Sequence, residues 1–229
     1  MPRILKYRFN LLLLCLLSSM IVDAQRQLTS VLEAEFINAG LINVNTLDKT
    51  IRVDLKYATT DNFTKTILYD TLNAAYLHLV AAQKLVKAQQ LLKQINSDYN
   101  LLIYDAARPL SVQQKMYKIV QGTSQAAYVA DPVKIGMHNY GLAVDVTICN
   151  GDGTPLDMGT PFDFFGRAAA IRDEEGLVRQ GKLNRKQVDN RKLLRRVMLA
   201  AGFLSIQGEW WHFNATTKSE AVRSFKVIK

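Results

Sequence analysis

The sequence predicts an α+β fold, with helices packed on a small, mainly antiparallel sheet. Three observations carry this reading. One long segment repeats apolar residues at helical spacing, and short segments alternate at strand spacing. Helices and strands also follow one another irregularly, without the regular alternation that builds a parallel sheet. The composition agrees: 48% hydrophobic and 21% charged residues in a 229-residue chain exclude a disordered or fibrous protein. That length supports one domain with a full-sized core.

The first segment reads as a leader. "MPRILKYRFN" carries Arg3, Lys6 and Arg8 and no acid, and "LLLLCLLSSMIV" follows as an apolar run of about a dozen residues, short for a membrane span. Ala24 supplies a small residue for cleavage. The expectation is a signal peptide over residues 1–24 and a single mature domain over 25–229, periplasmic or secreted. A lipoprotein signal on Cys15 fits less well, because Leu13 and Leu14 precede it. An uncleaved anchor is the other alternative. No later apolar run is long enough to span a membrane. Cleavage leaves Cys149 alone, so no internal disulfide is expected, and Cys149 reads as a small buried residue at a strand end.

"LTSVLEAEFINAG" predicts a short helix ended by Gly40. In "TIRVDLKYA", Ile51, Val53 and Leu55 alternate with charged residues, which predicts a strand. Leu77, Ala81, Leu85, Ala88, Leu92 and Ile95 recur at spacings of four or three, giving a long helix with one apolar stripe. His78 falls within this helix and is set aside as a surface or satisfied histidine. "NLLIYDA" is a strand, and "RPLSVQQKMYKIVQG" is a loop and then a helix ending at Gly122. "LAVDVTI" is a strand, and "GDGTPLDMGTP" is turn-rich. "DNRKLLRRVMLAAG" predicts a helix capped by Asp189 or Asn190 and stopped by Gly202. "FLSIQ" and "EWWHFN" read as closing strands.

The formal net charge is +9, and much of the excess lies in residues 178–196. Such a run favours anionic partners, among them cell-wall material, or it is a solvated helix face. No aromatic residues interleave with these charges, and export argues against nucleic acid. The solvated face is the preferred reading.

The chemistry concentrates in two stretches. In "GMHNYGLAVDV", strand alternation turns Val144, Val146 and Ile148 to the core and Ala143, Asp145 and Thr147 to the other face. Gly141 permits a tight turn that folds His138 back over Asp145, forming a pair of metal-ligand atoms. In "EWWHF", His212 supplies a third ligand. Two histidines and a carboxylate leave a fourth zinc position for water, with one zinc per chain. Glu209 stands three residues before His212 and reaches the same side only if the chain bends near Trp210. A carboxylate there can take a proton from water and pass it to a leaving amine. Singly, His138 reads as a loop histidine, Asp145 as a capping acid and Glu209 as a surface acid; together they form H-x6-D plus E-x-x-H. Arg108, at a strand end and held extended by Pro109, either stabilises the oxyanion of a tetrahedral intermediate or makes a surface ion pair.

The pattern H-x-x-G-x-A-x-D followed by E-W-W-H resembles the zinc D-alanyl-D-alanine dipeptidases of the VanX type, which share a fold with D,D-carboxypeptidases. "DLKYATTDNFT", "DAARP", "MGTPFDFF" and "EWWHF" occur in family order, from about Ile51 to Phe213. The resemblance implies the zinc peptidase fold of that family. It implies zinc on His138, Asp145 and His212, Glu209 as base and Arg108 as the intermediate-stabilising arginine. It also implies that Tyr57 and Asp163 line the substrate pocket, Asp163 near the substrate ammonium. Two positions depart: Gly136 stands where many members have serine, and Tyr140 where they often have arginine. Gly136 bears on the strictness of substrate choice.

The expected activity is hydrolysis of D-alanyl-D-alanine in peptidoglycan dipeptide turnover. The alternatives are a D,D- or L,D-carboxypeptidase or endopeptidase on wall peptides, which needs an open groove, and a zinc-stabilised wall-binding module, which needs neither Glu209 nor Arg108. A dipeptide site must pair a free amine and a free carboxylate at close range, so a small closed pocket selects length.

Overall fold

The computed structural model describes residues 30–229 apart from 128, 130 and 131. The expected leader, residues 1–24, lies outside the described residues. Helix α1 (Val31–Asn38) leads into strand β1 (Ile42–Asn43), and β2 (Arg52–Val53), β3 (Tyr76–Leu77) and helix α2 (Leu79–Ile95) follow. Then come β4 (Asn100–Asp105), α3 (Leu110–Val120) and β5 (Ala143–Cys149). Helices α4 (Glu174–Arg179) and α5 (Arg185–Ala200), strands β6 (Leu204–Ser205) and β7 (His212–Asn214), and helix α6 (Lys218–Ser224) close the chain.

The main sheet has the order β2-β4-β5-β7-β6. β2 and β4 are parallel, and the other three pairings are antiparallel. The expected α+β class with a mainly antiparallel sheet is therefore the one observed. β1 and β3 form a separate antiparallel pair. The central strands β4 and β5 are buried along their whole length, as their near-continuous apolar sequences require. Helix α2 packs on β4 and α5, burying Ala81, Leu85, Ala88 and Leu92. Each fully buried leucine there stabilises the fold by about 2 kcal/mol. Among the described residues, no helix is long and apolar enough to cross a membrane.

Several boundaries differ from the expectation. The long helix begins at Leu79, because Tyr76 and Leu77 pair with β1. His78 is its N-cap, and its ring Nδ1 accepts a hydrogen bond from the Val80 amide. The strand expected over 51–56 ends at Val53, and Lys56–Ala58 forms a 3-10 turn in which Lys56 pairs with both Asp54 and Asp61. Helix α5 starts at Arg185, not at Asp189 or Asn190. Asn184 and Gln187 form a reciprocal capping box that sets the start earlier. The basic run is not wholly a solvated face, since Arg191 is fully buried. Cys149 is a buried free thiol at the end of β5.

Strand register aligns the polar groups of the sheet. Asp105 of β4 lies opposite Asp145 of β5, which lies opposite His212 of β7. A bulge between Ile103 and Asp105 re-aims the end of β4. Three polar side chains thus form one row across the sheet.

Candidate active site

His138 sits in the 3-10 turn His138–Tyr140, which Gly141 ends with φ +65° in the left-handed region. A Cβ at Gly141 would meet Leu41 Cδ2 at 3.0 Å and the His78 amide nitrogen at 3.1 Å, so space as well as conformation calls for glycine. The turn brings His138 Nε2 to 3.4 Å from Asp145 Oδ1 and 3.2 Å from His212 Nδ1. His212 Nδ1 is itself 2.9 Å from Asp145 Oδ1.

The outer nitrogens fix how these rings can be used. His138 Nδ1 is 2.6 Å from the Ala106 carbonyl, to which it donates its N–H. His212 Nε2 is 2.9 Å from Asn214 Oδ1 and donates likewise. Both inner nitrogens then face the Asp145 carboxylate, and the close grouping calls for positive charge between them, supplied either by protons on the rings or by a metal ion that takes their place. Burial alone would push the Asp145 carboxyl up, but the charge of His138, with hydrogen bonds from both histidines, holds it well below the usual range. Burial would also push the His212 imidazole down, yet its hydrogen bond to Asp145 and the charge there raise it to about 9. The donor set and its electrostatics fit a metal ion with an N2O ligand set, and the three residues are grouped closely enough to hold one.

Arg108 lies three residues beyond the end of β4 rather than at the strand end, and it is buried. Its Nε donates to Asp105 Oδ2 at 3.0 Å, its Nη2 donates to the same oxygen, and its Nη1 donates to Gln113 Oε1 at 2.7 Å. It is therefore not a surface ion pair. Burial opposes its charge, but Asp105 above all keeps it protonated. Its Nη2 is 4.0 Å from Asp145 Oδ2, and the guanidinium stands 5.2 Å from the centre of the Tyr57 ring. Hydrogen bonds tie this corner to the His138 turn: the Arg108 amide donates to the His138 carbonyl, and Asn139 Nδ2 donates to the Arg108 carbonyl.

The Tyr57 hydroxyl donates to Asp163 Oδ2 at 2.9 Å. Asp163 has φ +58°, an unusual conformation for a residue with a side chain and one that recurs at ligand sites. Burial pushes its carboxyl well above the usual range. Glu209 is half-buried, and burial raises its carboxyl too, against the opposing charge of His212. The chain bends at Trp210 and Trp211 before β7 begins.

One cavity of about 250 Å³ unites these groups. Tyr57, Arg108, His138, Asp145, Asp163, Glu209 and His212, all seven residues singled out from the sequence, line it. Gly136 lines it as well and brings no side chain. Tyr140 is buried, with the Lys218 ammonium 5.0 Å from its ring centre.

Sequence reasoning missed Asp105, Gln113 and Asn214, which orient the functional groups. Asp105 carried a usable signal, a carboxylate at the end of an apolar strand, the same cue that exposed Asp145. Gln113 and Asn214 carried none.

Paired imidazoles and a carboxylate, with a second carboxylate and an arginine on one small cavity, define a metallopeptidase type of site. Comparison with known proteins agrees. The family model described as D-ala-D-ala dipeptidase matches residues 37–229. The chain is 32% identical over 174 residues to the D-alanyl-D-alanine dipeptidase of Escherichia coli K12, covering 76% of this chain and 83% of that protein. It is 29% identical over 183 residues to the enzyme of that name from Enterococcus faecium, covering 71% and 85%. The Enterococcus faecalis enzyme of that name is 28% identical over 185 residues, again with 71% and 85% covered. The chain belongs to the D-ala-D-ala dipeptidase family and is a peptidase.

Proposed function

We propose that this peptidase hydrolyses D-alanyl-D-alanine to two D-alanines, with one zinc ion held by His138, Asp145 and His212. The observation that carries the reading is the single 250 Å³ cavity on which the ligand set, Glu209, Arg108, Tyr57 and Asp163 converge. Its size suits a dipeptide rather than a wall strand. When bound, zinc supplies Lewis acidity and makes water a stronger acid.

The chain's own groups do the rest. Asp163, oriented by the Tyr57 hydroxyl, pairs the substrate ammonium and fixes the dipeptide by its free end. Glu209 takes a proton from the attacking water and returns it to the leaving amine, completing the cleavage. The Glu209 carboxyl, raised by burial, is suited to holding that proton between the two steps. Arg108, fixed by Asp105 and Gln113, directs its remaining N–H groups at the oxygen on which negative charge develops.

The sequence of residues 1–24 supports export, and hence a role outside the cytoplasmic membrane in recovering D-alanine from wall-derived dipeptides. The direct test is an assay of zinc-loaded protein on D-alanyl-D-alanine and on a wall pentapeptide side by side. The reading expects turnover of the dipeptide and little of the pentapeptide; the reverse preference would refute it. Cell fractionation should find a form starting near Gln25 outside the cytoplasm, and an uncleaved cytoplasmic form would refute the location.

A further inference from the structure

The basic run holds one arginine that faces inward. Arg191, on α5, is 1% exposed. Its Nε donates to the Met158 carbonyl at 2.6 Å, and its Nη2 lies 3.5 Å from Thr160 Oγ1. The same Thr160 hydroxyl accepts the Trp210 indole N–H at 2.8 Å, and the guanidinium stands 5.8 Å from the centre of the Trp210 ring. Its Nη1 is 4.0 Å from Glu174 Oε1, beyond hydrogen-bond range.

Arg191 does not act alone on this loop. Gln187 Nε2 donates to Asp157 Oδ2, and Asn190 Nδ2 donates to the Asp157 carbonyl, both at 2.8 Å. Residues 187, 190 and 191 share one helix face, so α5 presents a row of donors to the turn over 157–160. Gly159, at φ +81°, lets the turn lie flat on the helix. A Cβ there would meet Leu183 Cδ2 at 2.3 Å. Three residues beyond Thr160 is Asp163, and one residue before Trp210 is Glu209.

We propose that Arg191 is a positioning residue for the peptidase reaction: from outside the cavity, it holds the loop carrying Asp163 and the segment carrying Glu209 at a fixed separation. A buried arginine is a poor stabiliser compared with an apolar residue of similar volume. Its distinctive contribution is geometric: the fork bonds the loop at Met158 and Thr160, while its flat face lies over the Trp210 ring and the Thr160 hydroxyl takes the Trp210 N–H. A shift of about 1 Å between the amine anchor and the base would misalign the dipeptide for proton transfer. Both the ground-state contact and the chemical step should then suffer.

The inference rests on the dipeptidase reading, and its test keeps the two separable. Trp210 and Trp211 are the chain's only tryptophans, so intrinsic emission reports directly on this segment. In the zinc-loaded full chain, Arg191→Met should lower kcat and raise KM for D-alanyl-D-alanine, each about tenfold, with a red-shifted emission. Arg191→Lys, which keeps a donor for the Met158 carbonyl, should recover part of both. If Arg191→Met does not fold, Thr160→Val carries the test, with the same kinetic direction at about threefold. A folded Arg191→Met with wild-type kcat, KM and emission and only a lower Tm would overturn the proposal, as would unchanged kinetics in Thr160→Val. If the wild-type protein leaves D-alanyl-D-alanine intact, the substrate reading fails, while the emission of Arg191→Met still decides whether Arg191 holds the segment.

Discussion

The cavity has two ends built by different means. The His138–Asp145–His212 end stands on the sheet: Asp145 and His212 are direct partners across β5 and β7, and His138 is turned back over them by Gly141. The Tyr57–Asp163 end stands on a 3-10 turn and an irregular loop, with Asp163 in the left-handed region. Strand pairing leaves the first end little freedom. The second is held by the Tyr57–Asp163 hydrogen bond and, through the turn over 157–160, by Gln187, Asn190 and Arg191 of α5. On the proposed reading, the end that must converge three atoms on one point is set by the sheet, and the end that pairs the ammonium is set by side chains.

The comparison can be broken first at the rigid end. A His138→Ala/His212→Ala double variant should lose bound zinc and all measurable turnover, because one ligand cannot hold the ion. Elemental analysis checks it, and full zinc occupancy would show that the ligands lie elsewhere. Next in size is proton transfer between the ends. Glu209→Gln should keep zinc and lose about a hundredfold or more in kcat, since an amide cannot accept the proton. Arg108→Ala should lower kcat more than it raises KM if its contact is with the developing oxyanion. A near-normal kcat in either variant would remove that residue from the mechanism.

The smallest effect belongs to the adjustable end. Asp163→Asn should raise KM about tenfold and change kcat less, because it weakens binding of the free amine. The sign with pH follows from burial, which raises the Asp163 carboxyl. The group binds ammonium only when deprotonated, so KM should climb as pH falls through a value above the ordinary carboxylate range. Asp163→Asn should lack that rise, and a pH–KM profile of both proteins checks it.

The same contrast explains what the sequence made legible. Period-two alternation in "LAVDVTI" and a glycine after His138 were enough to bring His138 and Asp145 together, because strand geometry is local. His212 and Glu209 needed a bend at Trp210, and the chain bends there. Tyr57 and Asp163 could be assigned only through family resemblance, since no local period governs a loop. The strand expected through Lys56 instead gives way to a turn whose ion pairs depend on Asp61. Arg191 was hidden in a run of like residues. Which of them faces inward depends on a helix start set by Asn184 and Gln187 and on a turn 31 residues away in sequence.

The most direct test of the two-ended cavity compares D-alanyl-D-alanine with its N-acetylated form on the zinc-loaded protein. Acetylation leaves the scissile bond and the carboxylate in place, replaces the ammonium with a neutral amide and lengthens the substrate at that end. The account predicts rapid hydrolysis of the free dipeptide and loss of nearly all turnover on the acetylated one. Comparable cleavage of both would mean that Asp163 anchors no amine and that the cavity does not select a dipeptide by its free end.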